Sequence, residues 1–120
     1  MIVEDSTFFR ELFTLTLRER FASIEFYGAG DGVETLQKVE TLRHNLIFMD
    51  IRLPGGNGFE LTRKIKTSHP DIIIIIFTSY DLPEYRETAT QYKADYFFSK
   101  GSSATKNIFR LVESVLATHV

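Results

Sequence analysis

Five short apolar runs recur along this chain: Met1-Ile2-Val3, Ile24 to Tyr27, Leu46 to Met49, Ile72 to Phe77 and Tyr96 to Phe98. Runs of this kind read as buried strands. Between them apolar residues recur at helical spacing, as in Val33, Leu36 and Val39, then Phe59, Leu61 and Ile65, and finally Ile108, Leu111, Val112 and Val115. Punctuation falls where this reading needs it, with Gly28 and Gly30 before Asp31, Pro54-Gly55-Gly56 before the third helix, His69-Pro70-Asp71 after it, and Gly101-Ser102-Ser103 before the last. Five strands alternating with five helices predict an α/β fold, a parallel sheet doubly wound by right-handed crossovers. The flavodoxin-like strand order 2-1-3-4-5 suits five strands and puts a ligand crevice at the carboxyl ends of strands 1 and 3.

Composition narrows the function. With 14 basic and 16 acidic side chains the net charge is -2, which offers no footprint for direct nucleic-acid binding. The absence of cysteine removes disulfides, thiolate metal sites and cysteine catalysis, and it fits a cytoplasmic setting. The longest apolar run, Ile72 to Phe77, has six residues, where a membrane-spanning helix needs about 20. The opening MIVED lacks the basic and apolar regions of a signal peptide. Only three residues precede Glu4, short beside an average strand of about five or six, so residues upstream of Met1 are expected.

The residues just past the strands carry the chemistry: Glu4-Asp5 after strand 1, Asp50 after strand 3, Thr78-Ser79 after strand 4 and Lys100 after strand 5. Taken singly each has an ordinary explanation, since Asp5-Ser6 suits a helix cap, Thr78-Ser79 a turn and Lys100 a solvated loop. The topology brings them into one crevice. Three carboxylates against one ammonium leave it near -2, a crowding that calls for a cation. Oxygen donors without Cys or His select a hard ion, and Mg²⁺ suits a site that also meets phosphate, with zinc disfavoured. A carboxylate beside Mg²⁺, faced by a hydroxyl and a lysine, is equipped to accept a phosphoryl group, and Asp50 is the candidate nucleophile.

These residues resemble the receiver domain of bacterial two-component response regulators. The matching pieces are IVEDS at 2–6, FMD at 48–50 followed by RLPGGNG through Gly58, IIFTS at 75–79 and YFFSKG at 96–101. The resemblance covers nearly all of residues 1–120, read as a single receiver domain, stand-alone or cut from a longer regulator. It implies that Asp50 takes a phosphoryl group from a phosphohistidine on a sensor histidine kinase or a histidine phosphotransfer protein. It assigns Mg²⁺ to Glu4, Asp5, Asp50 and the backbone carbonyl of Arg52, the switch hydroxyl to Thr78, the salt-bridging ammonium to Lys100 and the rotamer switch to Phe97. It implies a signalling switch rather than an enzyme, one that catalyses only its own phosphorylation and dephosphorylation. Phe97 stands where Tyr is frequent, so a switch there works by packing alone. Arg52 and Tyr80 occupy positions that tune autodephosphorylation in the family, and both are bulky enough to screen attacking water.

On the first helix Phe8, Phe9, Leu12, Phe13, Leu15 and Leu17 form an arc wider than a half-buried helix needs, with Arg10, Thr14 and Arg18 opposite. Either the arc is all core, or Phe8, Leu12 and Leu15 belong to a docking face for the phosphodonor. The fourth helix, roughly 84–92, offers only Tyr85, Ala89 and Tyr92 for burial and contains Thr88 and Thr90, so it is expected to be weakly held. In receivers this helix and strand 5 form the face where output domains, target proteins or a phosphorylation-dependent homodimer bind. His44, His69 and His119 are read as surface or turn residues. The SKGSS stretch resembles receivers that precede helix-turn-helix output domains.

Three alternatives stand beside this reading. A Mg²⁺-dependent phosphatase or phosphomutase also uses an Asp nucleophile, but usually has a second Asp two residues on, where this chain has Arg52. A flavodoxin-like flavin carrier needs a hydroxyl- or Gly-rich phosphate loop after strand 1, which Ser6-Thr7-Phe8-Phe9 does not supply. A degenerate receiver acting only as a binding module would not need Asp50, Thr78 and Lys100 intact.

Overall fold

The computed structural model describes residues 1–101 and 104–118; Ser102, Ser103 and His119, named above, lie outside the described residues. Its elements in chain order are β1 (Ile2–Val3), α1 (Thr7–Arg20), β2 (Gly28–Ala29), α2 (Gly32–Thr41), β3 (Leu46–Met49), β4 (Arg52–Leu53), β5 (Gly56–Asn57), α3 (Gly58–Ser68), β6 (Ile73–Thr78), α4 (Pro83–Gln91), β7 (Tyr96–Ser99) and α5 (Ala104–Thr118). The main sheet is parallel with order β2-β1-β3-β6-β7, which is the expected 2-1-3-4-5 order.

The apolar runs are continuous because both sheet faces are covered. On β3, Ile47 and Met49 enter the core under α2, α3 and α4, while Phe48 enters the core under α1 and α5. On β6, Ile74 and Ile76 face the first core while Ile75 and Phe77 face the second. Val39, Ile65 and Ala89 cover one face, and Phe13, Leu17, Ile108 and Val112 cover the other.

Among the described residues, side-chain caps begin three helices. Ser6 Oγ accepts from the Phe9 amide at 3.2 Å, Asp31 Oδ1 from Glu34 at 2.8 Å, and Asn57 Oδ1 from Glu60 at 2.9 Å. Helix α4 has no such bond at its N-cap, Leu82, and begins instead at Pro83, with Ala89 its buried residue.

Two expectations change. The apolar pattern predicts the second strand at Ile24 to Tyr27, but β2 is Gly28–Ala29. Register is the reason: Ile2 pairs with Gly28 and Val3 with Ala29, so on this edge the two-residue β1 ladders with Gly28 and Ala29. Ile24, Phe26 and Tyr27 pack on the core ahead of the paired residues, with the Tyr27 carbonyl accepting from the Ile2 amide at 2.8 Å. The Pro54-Gly55-Gly56 stretch is also more than a break. It closes an antiparallel hairpin in which Arg52 pairs with Asn57 and Leu53 with Gly56, around Gly55 at φ +74°, a Pro-Gly pair that suits a tight turn.

Candidate functional site

Backbone bonds that extend the sheet pairing deliver the polar residues to its carboxyl edge. The Glu4 amide donates to Ala29 O at 2.9 Å, Asp50 N to Val3 O at 3.1 Å, and Lys100 N to Thr78 O at 2.7 Å. Glu4, Asp50 and Thr78 are buried, while Asp5 is exposed. Carboxylate oxygens of Glu4, Asp5 and Asp50 lie within 4.8 Å of one another.

Lys100 closes the cluster. Its Nζ donates to Glu4 Oε2 at 2.6 Å and to Asp50 Oδ2 at 2.9 Å. The other oxygens are held by backbone, with Glu4 Oε1 accepting from Ser6 N at 3.1 Å and Asp50 Oδ1 from Ile51 N at 2.7 Å. Burial and the adjacent Asp50 carboxylate push Glu4 up to about 7, against the pull of Lys100. Burial also raises Asp50, but its bonds to Glu4, Lys100 and the Ile51 amide outweigh that and hold it below the usual range. Burial lowers Lys100 less than the two carboxylates raise it, and its pKa lies above the ordinary value. Of the two carboxyl groups, Glu4 is the one whose hold on a proton is strengthened and Asp50 the one whose hold is weakened.

This donor set fits a hard divalent cation: three carboxylates of which one is exposed, with no His or Cys ligand, and a crowding that a cation relieves. The other expected positions are distributed around it. Arg52 lies in β4, and its guanidinium carbon stands 4.2 Å over the centroid of the Tyr80 ring. Thr78 Oγ1 accepts from the Tyr80 amide at 3.3 Å. Phe97 lies on β7, half-buried against the core under α4. His44 bonds Lys38 O, and His69 pairs with Glu40, both outside the acidic cluster.

Four further residues support the site through contacts that the sequence pattern does not show. Arg10 Nη1 donates to the Glu4 carbonyl, so it turns to the crevice edge and not to the solvent face assigned to it. The Phe9 ring lies 4.2 Å from Lys100 Nζ, a cation–π contact on the flank away from the carboxylates. A Cβ at Gly58 would meet the Asp50 carbonyl oxygen at 2.0 Å, so only glycine lets α3 start against the Asp50 backbone. Arg86 on α4 covers the Phe97 ring, 4.6 Å from its centroid. The available signals were the spacing of Phe9 and Arg10 along α1 and the glycine directly after Asn57.

On α1 the apolar arc divides. Phe13 and Leu17 are buried, whereas Phe8, Leu12 and Leu15 are 78%, 51% and 55% exposed. The core does not account for those three. Among the described residues no helix is long and apolar enough to cross a membrane.

Comparison with known proteins agrees with the geometry. Residues 1–112 match the model of the response regulator receiver domain. The chain is 28% identical over 109 residues to the response regulator GacA of Pseudomonas viridiflava, covering 90% of this chain and half of that protein. Among solved structures, a CheY-like response regulator receiver domain protein from Methanospirillum hungatei superposes with TM-score 0.85 at 26% identity, over 98% of this chain and 93% of that one. The response regulator TrrA from Thermotoga maritima, in complex with Mg(2+)-BeF, superposes with TM-score 0.83 at 28% identity, over 95% of each chain. An acidic cluster closed by lysine at the edge of a 2-1-3-4-5 sheet thus coincides with a family match over nearly the whole chain, and the chain belongs to the response regulator receiver domain family.

Proposed function

We propose that this chain is a phosphorylation-activated switch of a two-component system, in which Asp50 accepts a phosphoryl group from a phosphohistidine on a sensor histidine kinase or histidine phosphotransfer protein. The observation that carries the reading is the Lys100 ammonium bridging Glu4 and Asp50 beside Asp5. Glu4, Asp5, Asp50 and the Arg52 carbonyl are the groups that would hold Mg²⁺, which when bound neutralises the carboxylates and polarises phosphoryl oxygens. An Asp50 carboxylate oxygen attacks phosphorus as the P–N bond breaks and its electron pair leaves on the donor imidazole. The product is an acyl phosphate on Asp50. Lys100 donates to a phosphoryl oxygen, and the Thr78 hydroxyl exchanges the Tyr80 amide for another. Phe97 follows by repacking, since it has no hydroxyl.

The face of α4, β7 and α5 then engages an output domain, a target protein or a second copy of the chain. The exposed Phe8, Leu12 and Leu15 of α1 support donor docking there. Residues 1–120 act as one receiver unit, alone or within a longer regulator, in the cytoplasm, and the net charge of -2 argues against direct nucleic-acid contact. Beyond its own phosphorylation and dephosphorylation the unit turns over no substrate. Incubation with acetyl phosphate and Mg²⁺ followed by intact-mass measurement tests this: wild type gains one phosphoryl group and Asp50→Asn gains none. A wild type that stays unmodified with both acetyl phosphate and a phosphorylated histidine donor refutes the reading.

A further inference from the structure

The Phe97 ring has a polar clamp that the sequence pattern did not show. We infer that Arg86 is a positioning residue for Phe97, and that Asp81 makes its grip depend on Thr78. This rests on the reading of Thr78 and Phe97 as the signalling relay.

Three links join the two residues. Thr78 Oγ1 accepts from the Tyr80 amide, which ties the hydroxyl to the backbone of the loop after β6. Asp81 is the next residue of that loop, and its Oδ1 accepts from Arg86 Nε at 2.7 Å, joining the loop to α4. Arg86 in turn places its guanidinium carbon 4.6 Å from the Phe97 centroid. A planar guanidinium with one edge bonded to a carboxylate is oriented for stacking on a ring, which a lysine would not reproduce. Each end of the ion pair is about half exposed, 50% for Arg86 and 42% for Asp81, so the pair alone contributes little. Its effect is to orient the group that covers Phe97. The tie matters more because α4 has no side-chain bond at its N-cap.

When the Thr78 hydroxyl leaves the Tyr80 amide for a phosphoryl oxygen, the loop that presents Asp81 is released. Arg86 then loses the partner that orients it, and the ring loses its cover. The clamp stabilises the arrangement in which Thr78 is bonded to Tyr80. Deleting it shifts the equilibrium toward the arrangement with Thr78 recruited, and by reciprocity tightens the crevice for a phosphoryl mimic.

Titration of the full chain with beryllofluoride in excess Mg²⁺, followed by NMR, tests this. Arg86→Ala and Asp81→Asn are each expected to lower the half-saturating concentration about two- to fivefold. The double variant is expected to gain no more than the better single, because both act through one contact. General damage to the fold would weaken binding, so tightening separates positioning from structural support. Unchanged or weaker binding in Arg86→Ala overturns the inference, and so does full additivity of the two substitutions. Should Arg86→Ala not fold, Asp81→Asn carries the same test. A wild type that binds no beryllofluoride overturns the phosphoryl-acceptor reading instead.

Discussion

Arg52 stacks on Tyr80, with its guanidinium carbon 4.2 Å from the ring centroid. The pair joins the loop after Asp50 to the loop after Thr78, and Tyr80 is further braced edge-on by Tyr85 at 6.3 Å. On the proposed function, two bulky side chains that hold each other in this way would restrict the approach of water to a phosphoryl group on Asp50. Arg52→Asn combined with Tyr80→Ala is expected to shorten the lifetime of the phosphorylated protein by roughly tenfold, about 1.4 kcal/mol of barrier. Decay of the phosphate adduct after removal of the donor measures it, and an unchanged decay rate rejects the screen.

Gly58 and Asp50 are in backbone contact, and an added Cβ would sit 2.0 Å from the Asp50 carbonyl oxygen. Neither partner is a flexible side chain, and Gly58 N also donates to Ile51 O at 2.7 Å. Gly58→Ala is expected to cost about 1–3 kcal/mol of stability and to slow phosphorylation by displacing Asp50. Denaturant unfolding and acetyl phosphate kinetics on the same sample check both. Gly56→Ala, where nothing lies within 4 Å, is the control expected to leave phosphorylation unchanged.

Glu4 sets a pH dependence of known sign. Its pKa rises from 4.5 in the ordinary state to about 7 in the fold, so the folded protein binds the proton more tightly than the unfolded chain. The stability this supplies is complete below about 4.5 and is lost as pH climbs to about 7. Asp50, held low, acts oppositely and loses its contribution only in stronger acid. In EDTA the stability of wild type relative to Glu4→Gln is expected to fall between about pH 5 and about pH 7, a difference in which the opposing contributions of the buried Met1 amine and of His44 cancel. Apparent Mg²⁺ affinity is expected to rise over the same interval, because ligation requires the deprotonated carboxylate.

Leu15 is 55% exposed on α1. Leu15→Glu is therefore expected to change stability by less than about 0.5 kcal/mol while slowing transfer from a cognate phosphohistidine donor. Phosphorylation by acetyl phosphate, which needs no docking face, is expected to be unaffected. Equal rates from the protein donor place the docking face elsewhere.

The parts legible in the sequence were those set by short-range pattern. Apolar runs located β3 to the residue and β6 and β7 to within one, because strands buried on both faces need unbroken apolar stretches. Glu4, Asp50, Thr78 and Lys100 were legible as a group because chain order and sheet order together place strand ends side by side. The shift of β2 was not legible, since it depends on the register chosen by a two-residue partner. The hairpin at Arg52 to Asn57 needed the φ of Gly55. The roles of Phe9, Arg10, Gly58 and Arg86 are not legible in the sequence because they arise from tertiary contacts with Lys100, Glu4, Asp50 and Phe97. Helical spacing sets Arg10 opposite the apolar arc of α1, yet a side chain that long reaches the Glu4 carbonyl.

The central claim is that Asp50 itself carries the phosphoryl group. An aspartyl phosphate is an acyl phosphate, which borohydride reduces to homoserine while leaving free carboxylates untouched. The chain is phosphorylated with acetyl phosphate and Mg²⁺, reduced, digested and sequenced by mass spectrometry. Homoserine at position 50 alone is the predicted result, whereas homoserine at Asp5 or another acidic residue, with position 50 intact in the phosphorylated protein, would contradict the account.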